Sequence, residues 1–375
     1  MPYEAAHPVS RLPKPSLEMV CPYEPGKPID EVRRELGLSH VIKLASNENP
    51  LGPSPKVLEA LARTDLGLSL YPDYDGTALR ADLASFHGIA PERITLGCGS
   101  AELMRTLADG YLEPGDEALV SDICFAVYEN CIRIVGATPV VVPLTDDLHY
   151  DLTRMRKAVT PRTKAIFLAS PNNPTGQLIP FEQLTWFART LPSSVLIVLD
   201  LAYLDYIDAS PYDALELAEE LPNLVLLHTF SKAYGLAGLR IGYSISAPDV
   251  TRWLARVRTP FNTNTPGQLA ARIALQDQDH LARTVELNRR MRNVLTEKLE
   301  ALGLSVWPSH ANFVLANVHR DPQAVFAALL HKGVIVRPVR HPRLSTCIRI
   351  TTGTEAQIDE LFAALPDALQ EVDRG

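Results

Sequence analysis

Val195-Leu196-Ile197-Val198-Leu199 is an unbroken aliphatic run that ends on Asp200. A strand with one face in water alternates apolar and polar residues. A continuous run needs cover on both faces, as in a parallel sheet clad by helices. Comparable apolar strands are expected at 93–96, 117–121, 139–142, 165–169 and 224–228, with amphipathic stretches such as 181–190 between them. The pattern predicts an α/β fold whose large domain has a mostly parallel central sheet sandwiched by helices. After about residue 265 the texture changes. A long helical stretch at 268–299 precedes strand-like 312–316, a helix near 322–332, strands at 334–336 and 347–351, and a helix from Glu355. This second part reads as a smaller α+β domain. The expected division is an arm over 1–40 associated with the small domain, a large domain over 41–265, and a small C-terminal domain over 266–375.

The 375 residues are 46% hydrophobic and 21% charged, enough apolar material for a sizeable core. A net charge of -8 argues against a nucleic-acid partner, while leaving room for a local basic pocket. The five cysteines (Cys21, Cys98, Cys124, Cys131 and Cys347) are odd in number and show no CxxC spacing. That pattern suits a reducing cytoplasm, with neither a disulfide framework nor a metal site. Met1-Pro2-Tyr3-Glu4 does not open a signal peptide, and no run nears the roughly 18 apolar residues of a spanning helix. A cytoplasmic protein without membrane partners is expected. Proline at positions 2, 8, 13, 15, 22, 25 and 28 rules out continuous helix there. The turn Tyr23-Glu24-Pro25-Gly26 carries an aromatic anchor. It favours an extended arm laid on the protein over a free tail.

The chemistry concentrates after the expected strand at 224–228, in Thr229-Phe230-Ser231-Lys232-Ala233-Tyr234-Gly235-Leu236-Ala237-Gly238-Leu239-Arg240. A lysine in a loop is ordinarily a solvated charge. Here two hydroxyls and an arginine suited to a phosphate surround it. A lysine among cations and shielded from water has a lowered pKa and becomes nucleophilic. Those are the requirements for a Schiff base with a phosphorylated aldehyde cofactor. Gly97-Cys98-Gly99-Ser100-Ala101-Glu102 joins a strand to a helix, where glycines let backbone N–H groups approach an anion. Many such turns bind nothing, so this one counts as a second phosphate element beside Lys232. Asp200 ends a buried strand, where α/β sheets bind ligands. It would keep a pyridine nitrogen protonated, or else cap the next turn. Asn173 follows the strand at 165–169 and could donate to a phenolate oxygen, as could Tyr203, although Asn-Pro-Thr-Gly also suits a plain turn. Phe125 could stack on a ring or belong to the core.

These segments resemble fold-type I pyridoxal-phosphate (PLP) aminotransferases, and among them the histidinol-phosphate aminotransferase family. The likeness runs from about Tyr23 to about Gly353. It rests on Leu44-Ala45-Ser46-Asn47-Glu48-Asn49-Pro50, Tyr71-Pro72-Asp73 with Gly76, the stretch 170–176, the Lys232 segment, Pro260-Phe261-Asn262-Thr263-Asn264, Ala311-Asn312-Phe313 and Arg349-Ile350-Thr351-Thr352-Gly353-Thr354. The resemblance implies pyridoxal 5′-phosphate on Lys232, with Asp200 at its ring nitrogen and Asn173 and Tyr203 at its O3′. Ser100, Ala101, Glu102, Thr229, Ser231 and Arg240 would form the phosphate end, and Phe125 the stacking ring. Tyr71 would reach the cofactor phosphate of a neighbouring subunit, making a homodimer with shared sites. Arg349 would clamp an α-carboxylate and Arg337 a substrate phosphate, with Tyr23 and Asn47 lining the substrate pocket. Three features depart from the family pattern: Leu201 replaces a glutamate, Phe125 stands where tyrosine is frequent, and 339–345 is unusually basic.

The implied activity is ping-pong transamination between histidinol phosphate and 2-oxoglutarate in histidine biosynthesis, with Lys232 as proton shuttle. Transamination of phenylalanine or tyrosine is the second reading, since both put a flat ring in a similar place. Decarboxylation of a phosphorylated amino acid such as threonine phosphate is a third. A PLP-fold sensor of a transcription factor is a fourth, and it would need a DNA-binding extension.

Overall fold

A computed structural model describes residues 13–22, 24–208 and 212–374. The strands in chain order are β1 (Ile42–Lys43), β2 (Ile94–Gly97), β3 (Glu117–Ser121), β4 (Thr138–Val142), β5 (Thr163–Ala169), β6 (Leu196–Asp200), β7 (Leu224–Thr229), β8 (Gly242–Ile245), β9 (Ser305–Val306), β10 (Phe313–Asn317), β11 (Val334–Ile335), β12 (Arg337–Pro338) and β13 (Cys347–Thr351). The central seven-stranded sheet has the order β2-β8-β7-β6-β5-β3-β4. Its pairs are parallel except those made by β8, which runs antiparallel to both β7 and β2. Every residue of β2, β3, β6 and β7 is buried, which is why the sequence reads there as continuous apolar runs rather than as alternation.

Two apolar layers flank this sheet. One contains Ile166, Leu168, Ile197, Leu199, Leu224 and Leu226, and the other Phe167, Val198, Val225 and Leu227. Consecutive residues of one strand therefore feed opposite layers, as the strand period of two requires. A separate four-stranded sheet, β12-β13-β10-β9, packs its own core, in which Val314, Ile348 and Ile350 meet Leu295, Leu361 and Leu365 of two long helices.

One expected element needs correction. The single helix expected over 268–299 is two, Thr265–Gln276 and Gln278–Ala301. They break at Asp277, which is non-helical (φ -95, ψ 65) because its carboxylate accepts hydrogen bonds from Ser54 and Lys56. The strand expected over 334–336 is present at Val334–Ile335. β11 pairs in parallel with β1, and after Val336 the chain enters β12 beside β13. Proline does keep the early chain from long helix: Pro15–Met19 is one 3-10 turn, followed by the helix Ile29–Leu36. This segment lies along the protein, with Asn130 donating to Cys21 O and Arg337 to Glu24 O.

Candidate active site

β5, β6 and β7 end side by side at Ala169, Asp200 and Thr229, and all three residues line one cavity of about 290 Å³. This is the carboxyl edge of the parallel strands, where open α/β sheets bind ligands.

Lys232 extends into the cavity and donates to Ser46 O at 3.3 Å. Burial, reinforced by the Arg349 charge, pulls its ammonium pKa down to about 8, against the opposite pull of Glu48 and Asp200. A neutral amine is therefore accessible near physiological pH. Asp200 is 6% exposed, and burial pushes its carboxyl up to about 6 despite donors at both oxygens. Those donors are the Tyr128 hydroxyl at 2.7 Å and the Ala202 N–H at 3.0 Å.

The phosphate end is built from two loops. Gly99 (φ 75, ψ 167) precedes the helix Ser100–Tyr111, whose first two residues, Ser100 and Ala101, line the cavity. A Cβ on Gly99 would come within 2.5 Å of Arg240 Nη2, and one on Gly242 within 2.8 Å of Ser100 N. Only glycine permits this close packing. Arg240, itself left-handed at φ 53, spans the loops, donating to Ser231 Oγ at 3.4 Å and Cys98 O at 3.5 Å. The Ser231 N–H donates to Thr229 Oγ1.

At the other end, Asn47 (φ 56) is fully engaged. Its Nδ2 donates to the Tyr203 hydroxyl at 2.9 Å, its Oδ1 accepts from Thr351 Oγ1 at 3.0 Å, and its N–H donates to that same Thr351 hydroxyl. It thus fixes the phenol of Tyr203 at the cavity wall. Arg337 and Arg349 stand directly opposite each other across β12 and β13. Two like charges in that position repel, and a bound anion between them would relieve the repulsion. Arg349 donates to Asn173 Oδ1 and Ala45 O, both at 2.6 Å. Because Asn173 Oδ1 is an acceptor here, its NH₂ is the donor remaining for a ligand.

All the site residues expected from sequence lie on this cavity wall except Glu102, Tyr71 and Tyr23. The Glu102 carboxylate is turned to the Cys98 N–H at 2.5 Å and Asn262 Nδ2 at 2.7 Å, so it braces the Gly97–Ser100 turn instead of facing the cavity. Tyr71 is 80% exposed and stacks on Phe261 at 4.5 Å, outside the cavity of its own chain. Tyr23 lies outside the described residues. The cavity also includes Gly26, Ser46, Glu48 and Tyr128, which sequence reasoning did not single out. Leu201 is 2% exposed in the core beneath β6, so the departure from the family's glutamate does not alter the wall. The basic stretch at 339–345 ties elements together: Arg340 pairs with Glu24, and Arg343 donates to Asp122, Leu144 O and Thr145 O.

The donor set fits pyridoxal phosphate. It offers a desolvated primary amine for the aldehyde, a buried carboxylate for the ring nitrogen and an aromatic side chain, Phe125, beside them. A glycine-opened helix start with two hydroxyls and an arginine suits the phosphate. Fold and cavity together define a PLP-dependent transferase of fold type I. Residues 39–365 match the family described as aminotransferase class I and II. The chain is 43% identical over 366 residues to histidinol-phosphate aminotransferase of Moorella thermoacetica, covering 96% of this chain and 95% of the relative. It is 42% identical over 354 residues to that of Caldicellulosiruptor saccharolyticus, covering 94% and 99%. A crystal structure of histidinol-phosphate aminotransferase from Sinorhizobium meliloti in complex with pyridoxal-5′-phosphate superposes with a TM-score of 0.87 at 31% identity, covering 95% of this chain and 97% of that one. The chain belongs to the class I and II aminotransferases and, within them, to the histidinol-phosphate aminotransferase family.

Proposed function

We propose that this enzyme transfers the amino group of histidinol phosphate to 2-oxoglutarate, as a step of histidine biosynthesis. The observation that carries the reading is the opposed pair Arg337 and Arg349 on the same cavity wall as Lys232. Phenylalanine or tyrosine would bring an α-carboxylate for Arg349 and no anion for Arg337, whereas a phosphate takes charge-assisted hydrogen bonds from both. The α-carboxylate of 2-oxoglutarate would use Arg349 in the second half-reaction. One basic pocket then serves two anions.

When bound, PLP supplies an electrophilic aldehyde carbon and a ring that accepts electron density from the substrate carbon. Lys232 Nζ would hold the cofactor through that carbon until the substrate amine displaces it; the freed amine would then take the proton from the substrate carbon and deliver it to the former aldehyde carbon. Its lowered pKa suits both tasks, since a proton shuttle works best near ambient pH. Asp200 would hold the proton on the ring nitrogen. Asn173 and Tyr203 would contact O3′, and Phe125 would cover one ring face. Ser100, Ala101, Thr229, Ser231 and Arg240 would hold the cofactor phosphate.

The same reading includes a homodimer in which Tyr71 completes the neighbour's phosphate site, and its exposure supports that role. It also includes a large domain over 41–265, a small one over 266–375 and an arm over 1–40. Among the described residues no helix is long and apolar enough to cross a membrane. A cytoplasmic location is the proposal that accompanies a biosynthetic enzyme.

The test is a single-turnover comparison on the purified holoenzyme. Histidinol phosphate, phenylalanine and threonine phosphate are each mixed with it, and the bound-cofactor absorbance is followed without 2-oxoglutarate. Rapid conversion to the pyridoxamine form by histidinol phosphate, then reversal by 2-oxoglutarate, is expected. Conversion by phenylalanine alone would sink the assignment, and CO₂ release from threonine phosphate would move it to decarboxylation.

A further inference from the structure

Tyr128 is buried (1% exposed) on the helix Val127–Ile134. Its ring stacks on Phe167 of β5, with centroids 5.7 Å apart and planes at 19°, while its hydroxyl reaches across to Asp200 Oδ2 at 2.7 Å. An ionised carboxylate only accepts hydrogen bonds, so the phenol is the donor. Burial holds that phenol well above its ordinary pKa, so it remains protonated and able to donate. Asp200 Oδ1 takes the Ala202 N–H. Both carboxylate oxygens are thereby fixed, and the cavity edge of Asp200 has one defined orientation.

The position of Tyr128 in the chain carries a second meaning. Phe125 precedes it by three residues, and the Tyr128 N–H donates to Phe125 O at 3.0 Å. The two rings meet edge to face at 5.8 Å and 89°. One turn of chain therefore supplies both the ring that borders the cavity and the donor that sets the carboxylate. Any ring lying on Phe125 and reaching Asp200 is located by that single rigid turn.

We propose that Tyr128 is a positioning residue that keeps the Asp200 carboxylate ionised and aimed at the ring nitrogen of the bound cofactor. The inference rests on the reading of Asp200 as the nitrogen's partner. A buried carboxylate that loses a donor to its charged form takes up a proton more readily. Asp200 lies within the influence of Tyr128 and Lys232, and Tyr128 in turn feels Tyr150 and Cys124. On the sheet itself the neighbours of Asp200 are the apolar Ala169 and Leu227. Among these groups Tyr128 is the side chain that donates a hydrogen bond to the carboxylate.

The test is Tyr128→Phe, which removes one oxygen and keeps the stack on Phe167. In apoenzyme labelled with ¹³C at aspartate carboxyls, Asp200→Asn identifies the Asp200 resonance by its disappearance. The wild-type carboxyl should titrate near pH 6, and Tyr128→Phe should raise that midpoint by about one unit or more, because a donor to the charged form is lost. In the holoenzyme the half-reaction rate should fall roughly ten- to hundredfold, the loss of one hydrogen bond to a charge. KM for histidinol phosphate should stay nearly constant, and the deficit should be larger at pH 6 than at pH 8. Phe167→Leu disturbs the stack but not the hydroxyl, and should leave the Asp200 midpoint in place. An unchanged midpoint in Tyr128→Phe, or an equal shift in Phe167→Leu, would overturn the inference. Undiminished turnover in Asp200→Asn with the wild-type pH profile would instead remove the reading of Asp200 beneath it, and the inference with it.

Discussion

Arg337→Ala is the perturbation that most sharply separates a phosphate-reading pocket from a general amino-acid pocket. Arg337 is half-buried at the cavity wall and bonds Glu24 O at 2.6 Å. Arg349 lies opposite it but is tied to Asn173 and Ala45. Removing Arg337 thus takes away one cation without loosening Asn173. A charge-assisted hydrogen bond to phosphate is worth roughly 1.5–3 kcal/mol, so kcat/KM for histidinol phosphate should drop about 10- to 150-fold, almost entirely through KM. Histidinol, which lacks the phosphate, supplies the other side of the cycle. The wild-type enzyme should use it poorly, and Arg337→Ala should change its kcat/KM less than about threefold. Because the opposed arginines repel in the free enzyme, the variant should unfold at the same temperature as wild type or slightly above. Steady-state kinetics of the amine half-reaction with both substrates, together with thermal unfolding, decide the matter. Equal losses on histidinol phosphate and histidinol would show that Arg337 acts through general structure, and would refute phosphate recognition at this position.

Three further outcomes follow from particular contacts. Gly99→Ala forces a Cβ to within 2.5 Å of the end of the Arg240 side chain at a backbone conformation (φ 75, ψ 167) reserved for glycine; PLP affinity measured by fluorescence titration should fall about tenfold or more, with the circular dichroism spectrum retained. Asn47→Ala removes one donor to the Tyr203 hydroxyl and a buried link to Thr351, so kcat should fall about tenfold with a small change in cofactor affinity, and a change in KM alone would speak against that role. His228, buried against Tyr243 with its Nε2 unpartnered, has its pKa pushed down by burial to about 3 from 6.5. A base with a depressed folded pKa loses stability as pH falls below its unfolded pKa, at about 1.4 kcal/mol per unit; His228→Leu should therefore gain about 2 kcal/mol relative to wild type between pH 7.5 and pH 5.0 in urea unfolding, and a pH-independent difference would contradict the burial of a neutral imidazole.

The strand ends that hold the site were legible because they obey two local rules. Uninterrupted aliphatic runs mark strands covered on both faces, and the residue that ends such a run lies where ligands bind. Asp200, Thr229 and the loop with Lys232 all follow from those rules. The antiparallel β8 was not expected, since Gly242–Ile245 is too short to announce a direction. The break at Asp277 was hidden because it depends on Ser54 and Lys56, more than two hundred residues earlier. Tyr128 was missed for a similar reason: only the rotation of its helix against β6 shows that the hydroxyl meets Asp200 and not solvent. Glu102, placed by motif at the phosphate end, turns out to brace the turn, because a glutamate at the third position of a helix reaches back to a backbone N–H ahead of it, here that of Cys98. A motif identified which residues belong near the cofactor; side-chain direction had to come from the fold.

Lys232 Nζ, in the cavity at the ends of β5, β6 and β7, is the proposed centre of this enzyme's chemistry. Reduction of the holoenzyme with borohydride, followed by proteolysis and mass spectrometry, tests it most directly. One pyridoxyl group per chain is expected, on the peptide containing Lys232, with no incorporation and loss of turnover by orders of magnitude in Lys232→Ala. A pyridoxyl group on any other lysine, or wild-type turnover in Lys232→Ala, would contradict it.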